Sequence, residues 1–279
     1  MSIAALPPLR DGLAAAGLLA KKSFGQHFLL DLNVTRKIAR AAGPLEGAVV
    51  IEVGPGPGGL TRALLESGAV HVVAVEKDPR FVEHLADLAA IAEGRLTVVE
   101  ADALDVDESA LLADHGRGLP VRIIANLPYN VATPLLIKWL TGPFRPASMT
   151  LMFQREVADR IAAPVGSDAY GRLSVLAQAL AKASVVMKLP ARAFTPPPKV
   201  DSAVVRLDPR EDRPSDALTQ KLEIITRHAF GQRRKMLRSS LRGVGGEALL
   251  LAAGVDPNAR AETIDVDGFL RLAQALPDS

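Results

Sequence analysis

The sequence predicts an α/β fold followed by a small all-α domain, and three observations carry that prediction. Short β-branched runs alternate with helical patterns between residues 48 and 207. A glycine-rich loop, Gly54-Pro55-Gly56-Pro57-Gly58-Gly59, follows the first of those runs. From residue 216 onward the periodicity is helical. The 279 residues allow one large domain, or one large and one small. The stretch 208–215, polar and with two prolines, is the best boundary. The expected division is an N-terminal arm (1–24), an α/β domain (25–208) and a helical domain (209–279).

Residues 1–9 lack periodicity and are expected to be a loose arm, with a short helix over 13–19. The polar, aromatic-flanked segment Lys21-Lys22-Ser23-Phe24-Gly25-Gln26-His27-Phe28-Leu29-Leu30 leads into a helix capped by Asp31 or Asn33 and ended by Gly43-Pro44. Residues 48–53 are the first strand. The glycines behind it let a backbone approach a ligand closely, and the helix start favours an anion. Gly54, Gly56 and Gly59 satisfy the pattern G-x-G-x-x-G, with the acid Glu76 about 20 residues on, at the end of a second strand (70–75). That acid is placed to hold ribose hydroxyls, a need that NAD and S-adenosylmethionine share. Glu52, just before the first glycine, fits a sulfonium amino acid better than a pyrophosphate, since a carboxylate repels phosphate.

A helix over 79–92 with Pro at its first turn leads to a third strand (96–100). Asp102 follows, between two alanines that leave room for a flat ring; it can accept from an adenine amino group, or simply cap a helix. The fourth strand (121–125) ends in Asn126-Leu127-Pro128-Tyr129. The proline stops the ladder and presents an amide, bare carbonyls and a ring at the carboxyl end of a strand, where α/β sheets bind ligands. Such a turn suits a flat base with an exocyclic amine, adenine or cytosine; taken alone, it is also an ordinary strand-to-helix turn. A helix over 133–140, a strand over 148–153 and helices over 154–162 and 172–181 come next. Late strands over 184–188 and 203–207 are joined by a rigid loop containing Pro196-Pro197-Pro198. Phe194 at its start either stacks on a base or anchors the loop. The tail patterns as helices over 216–230, 234–241, 247–253 and 266–276.

The absence of Cys excludes disulfides, thiolate catalysis and cysteine-ligated zinc. Net charge is only +2, but residues 227–242 hold six Lys and Arg and no acid, whereas 100–108 hold five acids and no base. The basic block points to a polyanion; a solvated helix face is the commoner fate of such a run. No apolar run is long enough to span a bilayer, and Lys21 and Lys22 follow the apolar stretch 13–20 where a secretory signal would have them precede it. A cytoplasmic protein is expected.

Five motifs occur together and in order: Lys22-Ser23-Phe24-Gly25-Gln26-His27-Phe28-Leu29, Glu52-Val53-Gly54-Pro55-Gly56, Asn126-Leu127-Pro128-Tyr129-Asn130, Phe194-Thr195-Pro196-Pro197-Pro198-Lys199-Val200-Asp201-Ser202, and Ala229-Phe230-Gly231-Gln232-Arg233-Arg234-Lys235. Over nearly the whole chain this resembles the ribosomal RNA adenine N6,N6-dimethyltransferases, and within them the small-subunit (16S) dimethyladenosine transferases of the kasugamycin-resistance family. The resemblance implies a Rossmann-like methyltransferase sheet, largely parallel with one late reversed strand, and a small C-terminal helical domain. It implies S-adenosyl-L-methionine held by His27, Leu29, Gly54, Glu76, Asp102 and Asn126, with His27 standing where the family commonly has Asn. It implies a substrate of two adjacent adenosines in a hairpin loop near the 3′ end of 16S rRNA, in the pre-30S subunit, each dimethylated on N6.

Asn126, Leu127, Pro128 and Tyr129 are then the expected catalytic turn. Asn126 and the carbonyl of Leu127 or Pro128 accept from the amine, and Tyr129 stacks on the extruded base. Phe194, Arg233, Arg234, Lys235, Lys21 and Lys22 are the expected RNA contacts. A monomer without metal or membrane is expected. The alternatives are a large-subunit (23S) adenine dimethyltransferase, a non-catalytic small-subunit assembly factor and, weakest, a nicotinamide dehydrogenase.

Overall fold

The computed structural model describes residues 3, 6–15, 17–18, 27–115 and 118–277. Lys21, Lys22 and the rest of the first motif up to Gln26 lie outside them. The described chain forms two units, Met1–Ala158 with Val185–Leu207 and Asp159–Ser184 with Asp208–Ser279.

The first unit is built on the sheet. In chain order come α1 (Leu9–Ala15), α2 (Leu32–Ala41), β1 (Val49–Val53), α3 (Gly59–Glu66), β2 (His71–Glu76), α4 (Pro79–Ile91), β3 (Leu96–Glu100), α5 (Glu108–Leu111), β4 (Val121–Asn126), α6 (Tyr129–Thr141), β5 (Ser148–Gln154) and α7 (Arg155–Ile161). After α8 (Arg172–Leu180) come β6 (Ala181–Leu189) and β7 (Ser202–Pro209). The strand order is β3-β2-β1-β4-β5-β7-β6. The pairs β1–β2, β1–β4, β2–β3 and β4–β5 are parallel, whereas β7 runs antiparallel to β5, with Met152 opposite Val204. The sheet is therefore mixed, with the expected late reversal at β7.

Every residue of β1 is buried, which is why it reads as an unbroken apolar run apart from Glu52. Asp31 caps α2 by accepting from the Asn33 amide (2.8 Å), and Asp78 caps α4 by accepting from the Arg80 amide. Ile38, Leu45, Val50, Leu64, Val72, Leu85 and Ile124 belong to one core cluster. Helix α1 lies four residues earlier than expected. Leu13 on α1 packs with Phe28 and Phe81, and Leu9 is also buried, so this i, i+4 pair supplies the apolar stripe. Helix α6 starts at Tyr129, a full turn before the expected start, and carries Pro134 inside it. A helix starting at 133 would have Pro134 in its first turn, where a proline is favoured; starting at Tyr129, the helix carries the missing N–H four residues further in.

The second unit adds α9 (Asp216–Gly231), α10 (Leu237–Ser240), α11 (Gly246–Ala252) and α12 (Val266–Ala275) to the segment 159–184. That segment was expected with the α/β domain. It joins the tail because the Gly166 amide donates to the Glu262 carbonyl (2.9 Å) and the Tyr170 hydroxyl to the Ile264 carbonyl (3.0 Å). Phe230 and Phe269 stack at 5.5 Å, with Tyr170 edge-on to Phe230. Helix α10 is shorter than expected because residues 232–235 form a turn closed by the Lys235 amide on the Gln232 carbonyl. Among the described residues, no helix is long and apolar enough to cross a membrane.

Candidate active site

A cleft of about 710 Å³ opens where β1 to β4 end. Because these four strands are parallel, their carboxyl ends gather at one edge, and each contributes a wall. Val53, Gly54 and Gly56 come from β1 and its loop, Glu76 from β2, Asp102 from the segment after β3, and Asn126 to Tyr129 from β4 and the start of α6. His27 and Phe28 close another side. Gly54 and Gly56 take positive φ (69° and 50°). A Cβ on Gly54 would lie 3.5 Å from Pro128, and one on Gly56 would lie 3.2 Å from the Phe28 ring. A larger residue at either position would strain the backbone, and at Gly56 it would also crowd the Phe28 ring.

Glu76 is 8% exposed and is held by three backbone donors. Its Oε2 accepts from Gly56 (3.0 Å), and its Oε1 from Lys77 and Asp78 (2.9 Å each). Burial raises its carboxyl above the ordinary carboxylate range, against the pull of those three N–H groups. Oε1 is filled by its two amides, so Oε2, with one donor, keeps acceptor capacity for a ribose hydroxyl. Asp102 is tied by its Oδ1 to the Leu104 amide (3.0 Å) and by its Oδ2 to the Lys77 ammonium (2.7 Å). The hydrogen bond from Lys77 is the main reason its carboxyl lies below the usual range.

On the facing wall, the Asn126 side-chain nitrogen points to the His27 carbonyl at 3.5 Å, which turns its Oδ1 the other way. The Pro128 carbonyl accepts from the Val131 and Ala132 amides (3.1 Å each), so its lone pairs serve α6. Of the two expected carbonyls, Leu127 is therefore the one left to the cleft. The Tyr129 hydroxyl bonds to Ser202 Oγ (2.7 Å), and its ring lies 5.8 Å from the His27 ring.

His27 Nδ1 lies 2.8 Å from the Pro196 carbonyl. A carbonyl only accepts, so Nδ1 carries the proton and Nε2 is the ring's remaining polar position. Phe28 and Thr195 exchange backbone bonds (3.0 and 2.9 Å). The proline loop is thus tied to the His27 segment, and β7 to Tyr129. Ser202, Lys77 and the ring of Phe28 were missed as site residues. Ser202 and Phe28 had a signal, their places in the proline-rich and first motifs; Lys77 had none.

Several expectations need correction. Phe194 is 3% exposed in the core cluster with Leu189 and Val204, so it anchors the loop and does not stack on a base. Leu29 is 5% exposed in the same cluster and does not line the cleft. Arg233, Arg234 and Lys235 are exposed in the turn after α9; Arg233 donates to the Asp168 carbonyl (2.7 Å), so Arg234 and Lys235 are the better-placed cations.

Glu52 does not reach the cleft, because strand alternation sends it and Val53 to opposite faces. Its carboxyl is 1% exposed and its Oε2 has no hydrogen-bond partner among the described residues. Burial pushes its pKa up to about 8, with Glu76 adding to the rise and Thr61 opposing it. The folded chain then keeps this proton where the unfolded chain, near 4.5, has lost it. Stability from this group is present below about 4.5 and is lost as pH rises through about 8. Glu52→Gln should flatten the stability–pH curve between those limits, by on the order of 4 kcal/mol at its alkaline end. Thermal unfolding of both proteins across that range checks this; parallel curves would contradict it.

A family model described as ribosomal RNA adenine dimethylase matches residues 17–278. A protein of Phenylobacterium zucineum named ribosomal RNA small subunit methyltransferase A is 65% identical over 275 residues, 99% of this chain and 94% of that one. One of the same name from Caulobacter vibrioides is 65% identical over 257 residues, 92% and 97% of the two chains. Among solved structures, a dimethyladenosine transferase from Plasmodium falciparum superposes with a TM-score of 0.71 at 26% identity, covering 88% of this chain and 96% of that one. The 23S rRNA methyltransferase ErmE does so with 0.68 at 29% identity, covering 89% and 99%.

Proposed function

Because the chain belongs to the ribosomal RNA adenine dimethylase family, we propose that it transfers methyl groups from S-adenosyl-L-methionine to N6 of two adjacent adenosines near the 3′ end of 16S rRNA. The observation that carries this is a cleft with Glu76 and Asp102 on one wall and the Asn126–Tyr129 turn on the other. The cleft fits the methyl donor. Its volume is that of a small-molecule site, Glu76 offers a buried carboxylate oxygen to a ribose hydroxyl, Asp102 offers an acceptor to an amine, and Gly54 and Gly56 bring bare backbone to its wall. Glu76 would hold the ribose, Asp102 the adenine, and the Gly54 loop with His27 the amino-acid end. When bound, S-adenosyl-L-methionine supplies an electrophilic methyl on a positive sulfur and leaves as a neutral thioether.

The chain's own part is to bind, orient and strip water. The adenine amine is a weak nucleophile because its lone pair is delocalised into the ring. Asn126 Oδ1 and the Leu127 carbonyl accept its two N–H bonds, which localises that lone pair. The proton released on N–C bond formation passes to water, so no strong base is required. Tyr129, its hydroxyl fixed by Ser202, offers a face on which the extruded base stacks, worth roughly 1–3 kcal/mol. Much of the acceleration is then positioning and preorganised dipoles.

Arg234, Lys235 and Arg238, with Arg233, Lys21 and Lys22, grip phosphates without reading sequence. Changing Arg234, Lys235 and Arg238 to Gln should lower the slope of log affinity against log salt by about 2. RNA binding measured across a salt series checks this; an unchanged slope would return the run to a solvated face.

The protein works as a cytoplasmic monomer on the pre-30S subunit during ribosome biogenesis. ErmE keeps the large subunit as the rival target, but the small-subunit relatives are more than twice as similar. Transfer of labelled methyl groups to unmethylated small subunits and, in parallel, to large subunits, with the modified nucleotides mapped, tests the reading. Label in 23S rRNA alone, or none, would overturn it.

A further inference from the structure

We propose that Lys138 is a positioning residue that holds the Asp102 segment against α6 and so sets the preference of the cleft for a 6-amino purine. This rests on the reading that the cleft takes an adenosyl donor with Asp102 at its amine. Lys138 points from α6 into the segment that follows β3. Its ammonium donates to the carbonyls of Ala103 (2.9 Å) and Val106 (2.5 Å) and pairs with Glu108 Oε1 (2.8 Å). Its three protons therefore have three acceptors, all on residues 103–108. The same Glu108 oxygen accepts from the Trp139 indole (2.6 Å), and Trp139 is 1% exposed.

Asp102 immediately precedes this held segment, and its Oδ1 is fastened to the Leu104 amide inside it. At its other end, α6 begins with Tyr129, directly after the Asn126-Leu127-Pro128 turn. One helix thus sets both the acceptor turn and the segment bearing Asp102. Lys77 cannot do this work. Its side chain is 75% exposed, and an exposed ion pair constrains little. The Lys138 side chain is 25% exposed and its Glu108 partner only 7%, so removing one partner leaves a buried charge uncompensated and the segment must move.

The test is equilibrium binding, read by calorimetry with S-adenosylhomocysteine and with S-inosylhomocysteine, in which the 6-amine is replaced by a carbonyl. The wild-type chain should prefer the adenosyl ligand by about tenfold or more, the value of one charge-assisted hydrogen bond. Lys138→Met should cost the adenosyl ligand at least about fivefold and the inosyl ligand less than about twofold, so that the preference collapses. Glu108→Gln keeps an acceptor for Trp139 while removing the charge, and should shift the preference the same way even where Lys138→Met does not fold. Equal losses for both ligands, or an unchanged preference in both variants, would overturn the proposal. A wild-type chain that binds both ligands equally would overturn the reading of Asp102, and the proposal with it. A wild-type chain that binds neither would overturn the reading of the cleft itself.

Discussion

Replacing Asn126 by Ala should reduce methyl transfer at least about a thousandfold while leaving S-adenosyl-L-methionine affinity within about tenfold, a window of about 1.4 kcal/mol. The asymmetry follows from the geometry. Asn126 Oδ1 is one of two acceptors that the turn offers to the amine, because the Pro128 carbonyl is committed to the amides of Val131 and Ala132. Losing it leaves the Leu127 carbonyl alone, and one acceptor cannot both orient the amine and localise its lone pair. The other wall, with Glu76 and Asp102, is untouched by the change. A single-turnover rate on unmethylated small subunits, measured beside the binding constant for the methyl donor, separates the two effects. Near-normal turnover, or a loss of affinity that matches the loss of rate, would sink the assignment.

The parts of the site that were legible in the sequence are those made by adjacent residues. Asn126-Leu127-Pro128-Tyr129 read as a strand-end turn because a proline after a β-run leaves few other outcomes. The glycines after β1 read as a close-approach loop for the same local reason. What was not legible depends on partners far along the chain. Tyr129 and Ser202 meet across 73 positions, and His27 and Pro196 across 169. Periodicity carries no information about such pairs.

Phe194 and Leu29 show the complementary failure. An aromatic at the edge of a proline loop can stack on a base or plug a core, and only burial distinguishes the two. Glu52 was misread because a glycine-loop pattern says which residue is near the loop but not which face of β1 it points to. The second unit was misjudged for a topological reason. Residues 159–184 lie between β5 and β7 along the chain, yet Gly166 and Tyr170 donate to the Glu262 and Ile264 carbonyls. No boundary drawn along the chain at one point could assign them.

Glu76→Ala should weaken binding of both S-adenosyl-L-methionine and S-adenosylhomocysteine by about tenfold or more. A ribose hydroxyl bonded to the remaining position of Oε2 contributes roughly 1.5–3 kcal/mol. The same change removes the acceptor of the Gly56, Lys77 and Asp78 amides, so the glycine loop loses the anchor that shapes it. Glu76→Gln discriminates more sharply. Both carboxylate oxygens already accept from backbone N–H groups, so an amide must turn its NH₂ against one of them whichever way it lies. Gln should therefore fail nearly as badly as Ala, although its shape is conserved. Affinity in the wild-type chain should also fall on mild acidification, since burial raises the Glu76 carboxyl and the protonated form loses acceptor capacity. That slope should be absent from both variants. Calorimetry with either ligand over a pH series measures all three quantities. A Gln variant that binds within threefold of wild type would show that Glu76 shapes the loop without holding the ribose.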